Sequence, residues 1–147
     1  MKIEIVDKAF NPLQALADYS APAHGAINIF IGTMRDFNEG DTVKAMFLDY
    51  YPVMTEKQLE LVIKEAEAQW HILDVLLIHR VGEILPNQDI VLVAIWANHR
   101  GDAFDACRYI MEALKSKAPF WKKEVLINDE QRWVSHNTNG YSSSNNK

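Results

Sequence analysis

The sequence predicts an α+β domain with a mixed or antiparallel sheet, on three observations. Short runs rich in β-branched and aromatic residues recur along the chain with turn residues between them. Three intervening segments carry helical spacing or helix punctuation, and hairpins and helices in this order make an α+β domain. With 147 residues, 48% of them hydrophobic, the chain can bury one substantial core and is too short for two ordinary domains.

Residues 2 to 6 alternate as a short strand. In "NPLQALADYS", Asn11 can cap a helix with Pro12 at its first position. Two β-rich runs, 26 to 33 and 43 to 51, flank a polar loop holding Gly40 and Asp41, which predicts a hairpin with a long functional loop. Thr55 and Gln58 fit a capping box, and Leu59, Val62, Ala66 and Trp70 follow at helical spacing, predicting a helix over 55 to 70. The segment "ILDVLLIHRVGEILPNQDIVLVAIWAN" reads as two strands around Pro-Asn-Gln. The second, Ile90 to Ala97, is almost wholly apolar and is expected in the centre of the sheet.

Asp102 can then cap a helix that puts Phe104, Cys107, Met111 and Leu114 on one face, and Pro119 ends it by Ala118. Two short strands are expected in "KKEVLI" and "QRWVS". The tail from 136 to 147, rich in Asn and Ser, is expected to be disordered, leaving a single domain over 1 to 135.

The formal net charge of -5 argues against nucleic acid as the main partner, since a phosphate-backbone binder needs a basic face. The first residues alternate charged with apolar and contain no apolar core of a leader or membrane span, so a cytoplasmic protein without a membrane partner is expected. A single cysteine, Cys107, fits a reducing compartment, and its place on an apolar helix face reads as an inert buried thiol. His24, His71 and His79 are scattered without metal-ligand spacing, so neither a metal site nor a cofactor is expected.

Positive charge is nonetheless concentrated in "KSKAPFWKKE", residues 115 to 124, where four lysines less Glu124 give +3. A small anionic ligand is one reading. Lysines lying against Phe120 and Trp121 would have a lowered pKa and make better acid/base groups; equally, Lys115 and Lys117 can simply complement the carbonyl end of a helix. "NHRGDAF" begins a helix after a buried strand, so His99 and Arg100 can face an anion, or can be a capped polar loop. Arg35 leaves an apolar strand beside Gly32 and can reach a phosphate or carboxylate, or pair with Asp36 or Glu39.

Together, "GTMRDFNEG", "YYPVMTEKQL", "HRVGEILPNQDIVLVAIWANHRGDAF" and "LKSKAPFWKKE" followed by "RWV" resemble the large, catalytic subunit of molybdopterin synthase, over about Gly25 to Val134. The resemblance implies an α/β-hammerhead type of α+β fold and a homodimer of large subunits. A small ubiquitin-like sulfur-carrier subunit at each end would complete a heterotetramer. It also implies transfer of sulfur from the carrier's C-terminal thiocarboxylate to cyclic pyranopterin monophosphate. Carried over by motif, Lys115 and Lys122 would be catalytic, Arg35, His99 and Arg100 would bind the precursor, and Pro119 and Phe120 would shape the channel for the carrier tail.

Overall fold

The computed structural model describes residues 1 to 134; the tail expected to be disordered lies outside them. Three helices and nine strands run in the order β1 (Lys2–Val6), α1 (Pro12–Asp18), β2 (Ala26–Thr33), β3 (Phe37–Asn38), β4 (Asp41–Tyr50), α2 (Pro52–Gln69), β5 (Ile72–Arg80), β6 (Gly82–Ile84), β7 (Asp89–Ala97), α3 (Arg100–Ser116), β8 (Phe120–Leu126) and β9 (Gln131–Val134). The α+β class is as the sequence predicts.

One sheet has the order β1-β5-β7-β2, with β1 parallel to β5 and the other pairs antiparallel. Its interior strands explain their apolar composition. Val75 and Leu77 of β5, with Val91, Val93 and Ile95 of β7, meet Leu59, Val62 and Ile63 of α2 and Ala106 and Ile110 of α3. The alternate residues Leu76, Ile78, Leu92, Ala94 and Trp96 form a second layer against Leu16 of α1 and Tyr19 at its C-cap. A strand covered on both faces has no polar side to alternate with.

The second sheet, β3-β4-β8-β9 with β6 also paired to β4, is antiparallel and encloses its own core of Val43, Met46, Leu48, Ile84 and Leu126. The predicted hairpin between 26–33 and 43–51 is therefore not formed: β2 pairs with β7 in the first sheet, and β4 belongs to the second. Hydrophobic runs set strand identity but not partner choice, and here the residues after Thr33 cross between sheets.

The helix starts also differ from the sequence reading. Asn11 does cap α1, its side chain accepting from the Gln14 amide at 3.1 Å. α2, however, begins at Pro52, the residue type suited to the first turn. Thr55 therefore sits inside the helix, where its hydroxyl accepts from the Tyr51 amide and donates to the Pro119 carbonyl. α3 begins at Arg100 with His99 at its N-cap, and Asp102 contributes a favourable charge to the first turn rather than a cap. Its buried face is Ala103, Ala106, Cys107, Ile110, Ala113 and Leu114, whereas Phe104 is 59% exposed. Small alanines let the helix approach the sheet closely, a face that a search for large apolar residues misses.

Candidate functional site

A cleft of about 610 Å³ opens between the two sheets and α3, within the range of small-molecule sites. Its position follows from four segments. β2 contributes Phe30 and Gly32, where an added Cβ would come within 2.9 Å of Val91 Cγ1, so the strand can lie this close only as glycine. The loop after β2 contributes Arg35, the last turn of α3 contributes Lys115, and β8 contributes Phe120, Lys122 and Glu124.

The alternation of β8 sorts two of the four lysines. Phe120, Lys122 and Glu124 face inward, while Trp121 and Lys123 face outward, with Lys123 over the rings of Phe47 and Trp133. Lys117 lies outside the cleft, paired with Glu65 at 3.4 Å and over the Tyr109 ring. Lys115 and Lys122 are thus the two lysines of this stretch that line the cleft.

Lys115 is exposed to solvent at the end of α3, yet many protein atoms crowd around its ammonium. Burial lowers its pKa, and the like charges of Lys122 and Arg35 lower it further. Burial also lowers the pKa of Lys122, partly opposed by Glu124, whose Oε2 lies 3.9 Å from Lys122 Nζ. Arg35 forms no ion pair with Asp36 or Glu39 among the described residues; Glu39 instead lies 3.8 Å from Arg132. An unpaired guanidinium and two lysines with lowered pKa make the cleft suited to an anionic ligand and to proton exchange.

His99 and Arg100 are exposed and lie at the opposite end of α3 from Lys115. Sixteen residues at the helical rise separate His99 from Lys115 by roughly 24 Å, so within one chain they do not line this cleft. Pro119 is held from behind by Thr55 at 3.1 Å, while Phe120 lines the cleft wall.

Three further residues at the cleft were not singled out from sequence. His79 stacks on Phe120, Asn38 donates to Glu124 at 2.9 Å, and Glu124 itself is only 3% exposed. Strand alternation in "KKEVLI" was the available signal for Glu124; His79 carried none. Cys107 also reaches the wall, but burial pushes its thiol up to about 11, so it stays protonated near neutral pH. Among the described residues, no group of three His, Cys, Asp or Glu is arranged to hold a metal ion, and no helix is long and apolar enough to cross a membrane.

The family model described as MoaE protein matches residues 5–117. The chain belongs to the MoaE family. A molybdopterin synthase catalytic subunit from Ralstonia nicotianae is 51% identical over 113 residues, covering 77% of this chain and 64% of the relative, so the match spans slightly less than two thirds of that protein's length. The crystal structure of molybdopterin synthase from Staphylococcus aureus is similar with a TM-score of 0.81 and 30% identity, covering 90% of this chain and 96% of that one. A chain in the complex of subunits 1 and 2 of molybdopterin-converting factor from Helicobacter pylori shares the fold, with a TM-score of 0.73 at 20% identity, covering 90% of both chains. The MoaE match takes in Arg35, His99, Arg100 and Lys115 and stops before Lys122.

Proposed function

We propose that this MoaE-family chain is the sulfur-transferring catalytic subunit of a molybdopterin synthase. It takes sulfur from the thiocarboxylated C-terminus of a small ubiquitin-like carrier subunit and delivers it to cyclic pyranopterin monophosphate, forming the dithiolene of molybdopterin. The observation that carries this reading is the meeting of Arg35, Lys115 and Lys122 in one cleft of a MoaE-family chain.

The chemistry follows from the groups present. Arg35 binds the precursor phosphate, and Lys115 and Lys122 stabilise the negative charge that develops as water displaces the transferred sulfur from the carrier's acyl carbon and leaves it a carboxylate. The downward shift of both lysine pKa values favours proton exchange between one of them and the reacting group. The nucleophilic sulfur comes from the carrier, a role that the protonated Cys107 thiol is poorly suited to fill. Phe120 and Pro119 shape the channel for the carrier tail.

His99 and Arg100 also bind the precursor, and their place at the far end of α3 from Lys115 supports their supply by a second copy. The active assembly in this reading is a homodimer of this chain with a carrier at each end, a heterotetramer in the cytoplasm. The two-subunit complex of the Helicobacter pylori relative supports the carrier as a partner.

A single-turnover reaction with thiocarboxylated carrier and cyclic pyranopterin monophosphate, followed by mass spectrometry, tests the function. Dithiolene product from the wild type and none from Lys115→Ala supports it. Binding of the precursor without product would leave a non-catalytic module for an anionic ligand.

A further inference from the structure

Arg132 does not line the cleft, yet it is bonded to groups that do. Its Nε donates to Glu124 Oε1 at 3.0 Å, Nη1 to Asp41 Oδ2 at 2.8 Å and Nη2 to the Asn38 carbonyl at 2.9 Å. One guanidinium thereby joins β9, the β3–β4 turn and the buried Glu124. Asn38 returns the connection by donating its side-chain amide to Glu124 Oε2 at 2.9 Å. Both carboxylate oxygens are thus occupied by neighbours other than Lys122, whose Nζ stands 3.9 Å from Oε2, beyond hydrogen-bond reach.

We infer that Arg132 is a positioning residue for Lys122: by holding Glu124, Asn38 and Asp41 together, it keeps the Glu124 carboxylate from closing on Lys122 and leaves the ammonium free in the cleft. The physical reason is competition for a buried charge. Glu124 is nearly inaccessible to water and must be compensated by a cation. With Arg132 in place the carboxylate is satisfied from the β9 side. Without it, the nearest remaining cation is Lys122, and a tight pair between the two would withdraw the amine from the ligand. Arg132 suits the task because its planar fork reaches three acceptors in fixed directions, which a lysine cannot do.

The charged groups acting on Lys122 are Glu124 on its own strand, Arg35 in the loop after β2, Glu39 in the β3–β4 turn, Arg132 on β9 and Lys115 on α3. Removing Arg132 takes away one repulsion and strengthens one attraction, so both changes favour the protonated amine. Removing the Glu124 charge acts in the opposite sense.

The role of Lys122 in turnover rests on the function proposed above, but its environment can be read without turnover. The measurement is competitive acetylation of Lys122 between pH 7 and 10, quantified by peptide mass spectrometry, in the wild type, Arg132→Ala, Arg132→Lys and Glu124→Gln, each checked for folding by circular dichroism. Only the neutral amine reacts, so labelling at pH 8 should slow roughly threefold or more in Arg132→Ala, slow by a smaller factor in Arg132→Lys, which keeps the charge and loses the fork, and quicken in Glu124→Gln. Wild-type rates in the folded Arg132 variants would overturn the inference. If Arg132→Ala does not fold, Arg132→Lys and Glu124→Gln decide it. Wild-type protein that made no dithiolene would defeat the proposed function and leave this inference to be decided by the labelling alone.

Discussion

The imidazole of His79 lies almost flat on the Phe120 ring, with centroids 4.1 Å apart and planes 12° from parallel. His79 comes from the end of β5 and Phe120 from the start of β8, so the stack joins the two sheets at the cleft wall. Nδ1 lies 2.9 Å from the Arg80 carbonyl and therefore carries the proton. Burial, helped by the nearby Lys115 charge and opposed by the Arg80 carbonyl, depresses the His79 pKa to about 4.

That depression makes stability depend on pH in a defined direction. The folded protein holds His79 neutral, so this contribution is complete above the unfolded value of about 6.5 and is lost as pH falls toward about 4. Wild-type protein should lose about 1 to 2 kcal/mol from this group between pH 7 and pH 5, measured by urea denaturation. His79→Phe keeps a flat ring against Phe120 and should flatten the acid limb. An unchanged limb would show that another group is responsible.

Lys115→Ala should lower single-turnover sulfur transfer by about 100-fold or more, the range expected for loss of a general acid/base or charge-stabilising group. Lys115→Arg should fail as well, because a guanidinium stays charged at any pH the protein survives. Recovery of activity in Lys115→Arg would reduce the lysine to a fixed positive charge and remove the proton-transfer role.

Arg35→Ala should weaken binding of the precursor roughly 10- to 100-fold, as expected for one charge-assisted contact to a phosphate. The same change should move the pH dependence of the reaction upward. Arg35 repels both Lys115 and Lys122 in the present structure, so its removal lets both pKa values rise. Calorimetry with the precursor and a pH–rate profile read the two effects separately.

Mixing of Lys115→Ala and Arg100→Ala protomers, each inactive alone, should restore activity if Arg100 acts across a dimer. In a random mixture about a quarter of the sites would then combine an intact Lys115 with an intact Arg100 from the other copy. No recovery in mixed dimers isolated with two affinity tags would show that the two residues do not form one site.

The sequence by itself determined the elements that depend on near neighbours along the chain. The Asn11–Pro12 start of α1, the end of α3 before Pro119 and the doubly buried β7 were legible because caps, breakers and hydrophobic periodicity act over a few residues. Lys115, Lys122 and Arg35 were legible as chemistry through their motifs. Their meeting in one cleft was not, because it depends on which sheet each strand joins.

Only the tertiary structure decided that β2 and β4 part company, and this divergence is what opens the cleft between the sheets. It also decided that Lys123, adjacent to Lys122 in sequence, faces the opposite side, and that His79, from a strand far away in sequence, stacks on Phe120 at the cleft wall. The physical reason is that strand pairing is a non-local choice: hydrophobic alternation specifies which side chains are buried, while the partner strand and its register specify which of them touch.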